Sequence, residues 1–128
     1  MNKIENNINR NVLTLAYIGD SIYDIYIREY LINKGIVKVG ELQRESIKFV
    51  SAKAQANFLQ EMLDHDILKK EELDLVYRAR NNKQSRHPKN TDIITYKYAT
   101  ALESLFGYLY LERSYDRLNE IMNFILGR

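Results

Sequence analysis

The sequence has no cysteine and no tryptophan, and only one proline and five glycines among its 128 residues. Without cysteine there is no disulfide and no thiolate metal site. The shortage of Pro and Gly leaves little material for the many tight turns of a sandwich or barrel, so long helices joined by few loops are favoured. No uncharged apolar run reaches the ~18 residues of a membrane span. The first ten residues, Met1 to Arg10, are polar and carry Glu5, with no apolar stretch and no cleavage signal. No secretory leader is expected. The expectation is a cytoplasmic protein with no membrane partner.

What is present fits one ordinary globular domain. The chain is 45% hydrophobic and 28% charged, which argues against global disorder. A chain of this length buries roughly two-thirds of its unfolded surface. We read residues 1–128 as a single domain, with 1–10 as a polar lead. The net charge of +2 is unevenly placed. Between Tyr77 and Lys97, six basic residues face Asp92 alone, a local net of +5 that leaves −3 for the other 107 residues. Such an excess suggests contact with a polyanion, through Arg78, Arg80, Lys83, Arg86 and Lys89. The plainer alternative is a solvated loop.

The hydrophobic spacing predicts an all-α protein; no convincing period-2 strand occurs. A first helix is expected from about Asn11 to Asn33, with Ile18, Ile22, Ile25 and Glu29 on one stripe, Leu15 and Ala16 on its flank, and Gly35 as its stop. A second is expected over Val39 to Phe49, with Leu42 and Ile47 inward. A third covers Ser51 to His65, where Ala52, Ala56, Leu59 and Leu63 recur at three and four. A fourth starts near Lys70 and Glu71 and buries Leu73, Val76 and Ala79. The polar stretch from Asn81 to about Thr91 is the long basic loop. A fifth, strongly apolar helix runs from about Thr91 to Glu112 with Ala99, Leu102, Leu105, Phe106 and Leu109. Ser114 is a candidate cap for a sixth, with Leu118, Ile121, Met122 and Ile125 inward.

Two carboxylates stand out because they interrupt apolar helices. Asp20 follows Leu15-Ala16-Tyr17-Ile18-Gly19, and Glu103 lies in Ala101-Leu102-Glu103-Ser104-Leu105-Phe106. Gly19 costs a helix ~1 kcal/mol relative to Ala, which close backbone packing would offset. Ala16, Asp20 and Asp24 share a stripe on the first helix, and Thr100, Glu103 and Gly107 share one on the fifth. If the two helices pack together, the carboxylates converge. A converging pair repels and is costly to desolvate, and Mg2+, which needs only one or two carboxylates, removes both problems. That reading is a magnesium-dependent phosphodiester hydrolase. The alternative is that each carboxylate meets a buried Arg or Lys, or caps a backbone. His65 and His87 are isolated, and no Gly-rich phosphate loop or Ser–His–Asp arrangement is found. Tyr23, Tyr26 and Tyr30, with Tyr17 nearby, read as core or as a self-association surface.

These residues match a family. Leu15-Ala16-Tyr17-Ile18-Gly19-Asp20-Ser21-Ile22 resembles the signature helix of the ribonuclease III catalytic domain. Glu103-Ser104-Leu105-Phe106-Gly107-Tyr108-Leu109-Tyr110-Leu111 resembles its second acidic helix, and Val50-Ser51-Ala52-Lys53-Ala54-Gln55 the start of an intervening one. Arg78-Ala79-Arg80-Asn81 and Pro88-Lys89-Asn90-Thr91-Asp92 are similar to the Mini-ribonuclease III subgroup. The resemblance spans about Asn11 to Leu126.

The resemblance implies an all-α homodimer that cuts double-stranded RNA with Mg2+. Asp20 and Glu103 would be its catalytic, metal-binding residues. It also implies a role in trimming the ends of the 23S ribosomal RNA precursor. Larger relatives append a double-stranded-RNA-binding domain; none is expected here, because the sequence ends at Arg128. They also carry two further carboxylates, at the positions of Ala16 and Thr100 here. Fewer acidic ligands leave more of the metal shell to water and RNA phosphate. Besides the nuclease, a non-catalytic RNA-binding relative and a helical interaction module remain. The Asp20–Glu103 pair favours the enzyme, and the +5 segment disfavours the interaction module.

Overall fold

Among the described residues, 7–83, 89 and 92–128, the computed structural model contains six α-helices, a short 3-10 turn at Asn7–Asn9 and no strand. The helices are α1 (Val12–Asn33), α2 (Val39–Val50), α3 (Ala52–Asp64), α4 (Lys70–Arg80), α5 (Ile93–Leu111) and α6 (Tyr115–Leu126). The all-α expectation holds, and the expected boundaries lie close to the observed ones.

Capping chemistry explains where the helices begin. Asn11 starts α1 by accepting from the Leu13 and Thr14 amides at 2.8 and 3.4 Å. Ser51 ends α2 and starts α3, its hydroxyl accepting from the Ala54 amide at 3.1 Å. Asp92 starts α5 by accepting from the Thr95 amide at 3.0 Å. These acceptors satisfy amides that have no partner inside the helix. Ser114 occupies the N-cap position of α6, but its side chain makes no capping bond.

α5 is the centre of the fold. Ala99, Leu102, Leu105, Phe106 and Leu109 are buried, and so are Thr100, Ala101, Ser104 and Gly107. A helix apolar on all sides must be enclosed, and α1, α3, α4 and α6 pack around this one. α6 buries the four residues expected of it, Leu118, Ile121, Met122 and Ile125. α4 buries Val76 and Ala79 as expected, while Leu75 takes the place foreseen for Leu73, which is only partly buried.

Two expected faces are corrected. The buried stripe of α1 is Val12, Leu15, Ala16, Gly19, Tyr23, Ile27 and Leu31; Ile25 is 60% exposed. The helix carries apolar residues on most of its circumference, so hydrophobicity alone does not select a face. Gly19 selects it, by allowing α5 to approach. On the peripheral α2, Leu42 packs against the core but Ile47 is 60% exposed.

A buried ion pair ties α4 to α6. Glu72, 2% exposed, accepts from Arg117 Nε and Nη2 at 2.9 and 2.8 Å, and the same Nη2 donates to the Ile67 carbonyl. Burial pushes the Glu72 carboxyl up, but the Arg117 fork and the Lys69 amide outweigh it and hold the group below its usual range.

Candidate active site

The acidic site forms where α1 crosses α5. A Cβ on Gly19 would lie 1.7 Å from the Glu103 carbonyl oxygen, and one on Gly107 would lie 1.9 Å from the Leu15 carbonyl oxygen. Only glycine allows this approach, which answers why Gly19 sits inside a helix. Beside the crossing, the Ser104 hydroxyl donates to the Val12 carbonyl at 2.8 Å. Tyr23 packs edge-on against Phe106 with ring centroids 5.1 Å apart, and its hydroxyl donates to the Phe49 carbonyl at 2.7 Å.

The consequence is that Asp20 and Glu103 stand together. Their side chains are close enough for Asp20 to act directly on the Glu103 carboxyl. Asp20 is exposed and Glu103 half-buried beneath it. Burial first, then the adjacent Asp20 carboxylate, pushes the Glu103 carboxyl up to about 9; a hydrogen bond from Gln55 opposes the rise. Among the described residues no ion pair reaches either carboxylate. Among the described residues, neither carboxylate therefore has the buried cationic partner of the alternative reading. Asp24, the third acid on the α1 stripe, pairs instead with Arg28 at 2.9 Å.

The donor set is two carboxylates and one neighbouring amide. Among the described residues, no group of three or more His, Cys, Asp and Glu is placed to hold a metal. Ala16 and Thr100, which share the stripes of Asp20 and Glu103, are 7% and 4% exposed and bring small groups to the crossing. Gln55 was not singled out in the sequence as a site residue. Its signals there were its place at the end of the family-like run from Val50 and its polar side chain at i−4 from Leu59 on an otherwise apolar face.

Residues 13–114 match the Ribonuclease III domain. The chain belongs to the ribonuclease III family. It is 47% identical to the Mini-ribonuclease 3 of Enterococcus faecalis, over 92% of this chain and 89% of that protein. It is 41% identical to the Mini-ribonuclease 3 of Staphylococcus aureus, over 91% and 87% of the two chains. A crystal structure of a Fusobacterium nucleatum protein, 27% identical, superposes with a TM-score of 0.85 over 97% of this chain and 100% of that one. These relatives place the chain in the Mini-ribonuclease III branch and make it an endoribonuclease.

Beside this ribonuclease III crossing, the basic residues form a second region. Arg78 and Arg80 lie in the last turn of α4, and Lys83 and Lys89 are exposed in the connection to α5. Arg86 lies outside the described residues. Arg78 donates to the Ile8 carbonyl, and to that of Arg10 at 3.3 Å, clasping the segment before α1. Asn7 secures the same segment by donating to Glu112 at 2.9 Å. Arg80 stacks on Tyr77 and Tyr98 with centroid distances of 4.7 and 5.9 Å. Glu103 is ten residues along α5 from Ile93, about 15 Å at 1.5 Å per residue. No helix among the described residues is long and apolar enough to cross a membrane.

Proposed function

We propose that the chain cleaves double-stranded RNA with Mg2+ held by Asp20 and Glu103. We further propose that it acts as a single-domain homodimer in the cytoplasm and trims the ends of the 23S ribosomal RNA precursor. The observation that carries this reading is the Gly19–Gly107 crossing, beside which two carboxylates stand together with no ion-pair partner among the described residues. A hard-oxygen pair suits Mg2+, which retains several waters and needs few protein ligands. Bound there, the ion would lower the pKa of a water and offset charge developing on the phosphoryl oxygens.

The chain's own residues supply the rest. Asp20 is exposed and open to RNA from solvent, while Glu103 is half-buried on α5. The basic segment supports phosphate contact: Arg80, Lys83 and Lys89, with Arg78 and Arg86, would read a duplex by shape, because side chains cannot enter the narrow major groove of A-form RNA. Two bonds to Ile8 and Arg10 leave Arg78 further donors, since a guanidinium has five. A two-fold dimer matches the approximate two-fold symmetry of a duplex backbone. The 23S role rests on the resemblance of the sequence motifs to Mini-ribonuclease III alone.

The test is incubation with a long RNA duplex, with and without Mg2+, followed by end mapping. Cleavage should require the ion. Asp20→Asn keeps the shape and removes the charge, so it should lower cleavage by orders of magnitude while duplex binding survives. Near-normal cleavage by Asp20→Asn would refute the assignment.

A further inference from the structure

The buried stripe of α3 is Gln55, Leu59 and Met62, of which Gln55 alone is polar. Gln55 is 3% exposed. A buried amide costs free energy unless its donors and acceptor are satisfied, and a Leu or Met of similar volume would fill the gap between α3 and α5 without that cost. From that buried face the amide lies close enough to Glu103 to hold its carboxyl down. α3 is itself well fixed at this end. Ser51, one turn before Gln55, caps the helix, and the Tyr23 hydroxyl ties the Phe49 carbonyl just upstream to α1. Three helices therefore converge on one carboxylate.

We propose that Gln55 is a positioning residue for metal capture: its side-chain N–H holds one Glu103 oxygen, so that the carboxylate stays oriented toward Asp20 and the incoming ion. The proposal rests on the reading of Asp20 and Glu103 as the ligands. It gives the site a polar contact from α3, at a crossing where Ala16 and Thr100 supply no carboxylate. Groups that orient metal-binding side chains typically change metal affinity or activity by about 10–100-fold when removed.

The experiment uses the full chain and the variants Gln55→Met, Gln55→Asn, Asp20→Asn and Glu103→Gln. Met keeps volume and loses the donor; Asn keeps the donor and loses the reach, and serves if Met impairs folding. Mn2+ binding without RNA is followed by electron paramagnetic resonance of the free ion. Duplex cleavage is followed across Mg2+ concentrations, and thermal unfolding is measured without metal. For Gln55→Met and Gln55→Asn, the Mn2+ Kd and the half-saturating Mg2+ should rise about 10–100-fold, with kcat largely recovered at saturating Mg2+. A merely structural role would instead lower the metal-free Tm and kcat at every Mg2+ concentration. Unchanged Mn2+ affinity in both Gln55 variants, with Asp20→Asn and Glu103→Gln inactive, overturns the positioning role alone. Full activity of Asp20→Asn and Glu103→Gln overturns the site reading and this proposal with it.

Discussion

At Gly19 the space a Cβ would need is taken by backbone, with the Glu103 carbonyl oxygen 1.7 Å away and the Gly107 nitrogen 2.8 Å away. Neither atom can move without shifting a helix. Gly19→Ala should therefore cost about 3 kcal/mol, the upper end for overpacking, and should separate Asp20 from Glu103. Urea unfolding and a cleavage assay on the same sample would show both losses together. Two other residues give stability a pH dependence of opposite signs. Glu103 is raised from 4.5 to about 9, so across that window the native state holds a proton the unfolded chain has released. Stability of the metal-free protein should fall as pH rises through the window. Glu103→Gln should remove that slope and exceed the parent in stability on the alkaline side of neutrality. Glu72 is lowered by Arg117 despite its burial, so its contribution is complete above 4.5 and is lost as pH falls through the native value. Glu72→Gln leaves Arg117 without its counter-charge and should cost about 3 kcal/mol near neutral pH. Denaturant midpoints across pH would check both signs.

Among the elements, helix ends explain both what the sequence revealed and what it concealed. Gly35 was legible as the stop of α1. Its φ is +96°, its amide donates to the Ile32 carbonyl at 3.0 Å, and the Ile36 amide donates to the Leu31 carbonyl at 3.4 Å. This is the Schellman pattern. A Cβ at Gly35 would meet nothing within 4 Å, so Gly35→Ala should cost about 1–2 kcal/mol from backbone strain alone, against the steric cost at Gly19. A smaller loss at Gly19 than at Gly35 in parallel melts would contradict this contrast. Two further ends use the same bonds without glycine. Asp66 (φ 56°) follows α3, and Arg113 (φ 60°) follows α5, where the Ser114 amide donates to the Leu109 carbonyl at 2.9 Å. No composition rule marks an Arg for the left-handed region, so the turn at Arg113 was invisible, although the helices on either side were clear. The inner face of α5 was legible because nearly every residue there is apolar. The inner face of α1 was not, because Ile25 and Tyr17 are as apolar as Tyr23 and Ile27, and only the partner helix separates them. Asp20 and Glu103 were found because charge inside an apolar helix is conspicuous. Glu72 carries no mark in the sequence, because its partner Arg117 lies 45 residues away. Gln55 was missed because an uncharged polar residue on a helix excites no suspicion until the fold shows what lies beside it.

At the scale of the whole molecule, two surfaces remain to be matched to RNA and to a second copy of the chain. The basic segment sets the first. If Lys83, Arg86 and Lys89 neutralise phosphates, their joint replacement should weaken binding to every duplex sequence alike. The slope of log affinity against log salt should flatten by up to ~1 per lost contact. Asp20 and Glu103 are untouched, so saturating RNA should recover most of the cleavage rate, and an unchanged salt slope would return the segment to a solvated loop. The second surface is the outer face of α1. Tyr17 is 84% exposed, Ile25 60% and Ile32 58%, eight and seven residues apart along one side of the helix, with Val39 of α2 exposed nearby at 66%. A row of large apolar side chains along one helix marks an interaction surface more than solitary exposed residues do. Tyr17 and Asp20 are three residues apart and therefore neighbours on the helix surface. Self-association through this face would bring both acidic sites close to the two-fold axis, one for each strand of a bound duplex. We predict a dimer by sedimentation at micromolar concentration. Tyr17→Glu places charge on a side chain outside the core, so it should leave helicity intact and shift the protein to monomer. Because one site can cut only one strand at a time, that monomer should nick a duplex where the parent releases double-strand products. A parent that sediments only as monomer, or a Tyr17→Glu variant that remains a dimer cutting both strands, would remove α1 from the interface.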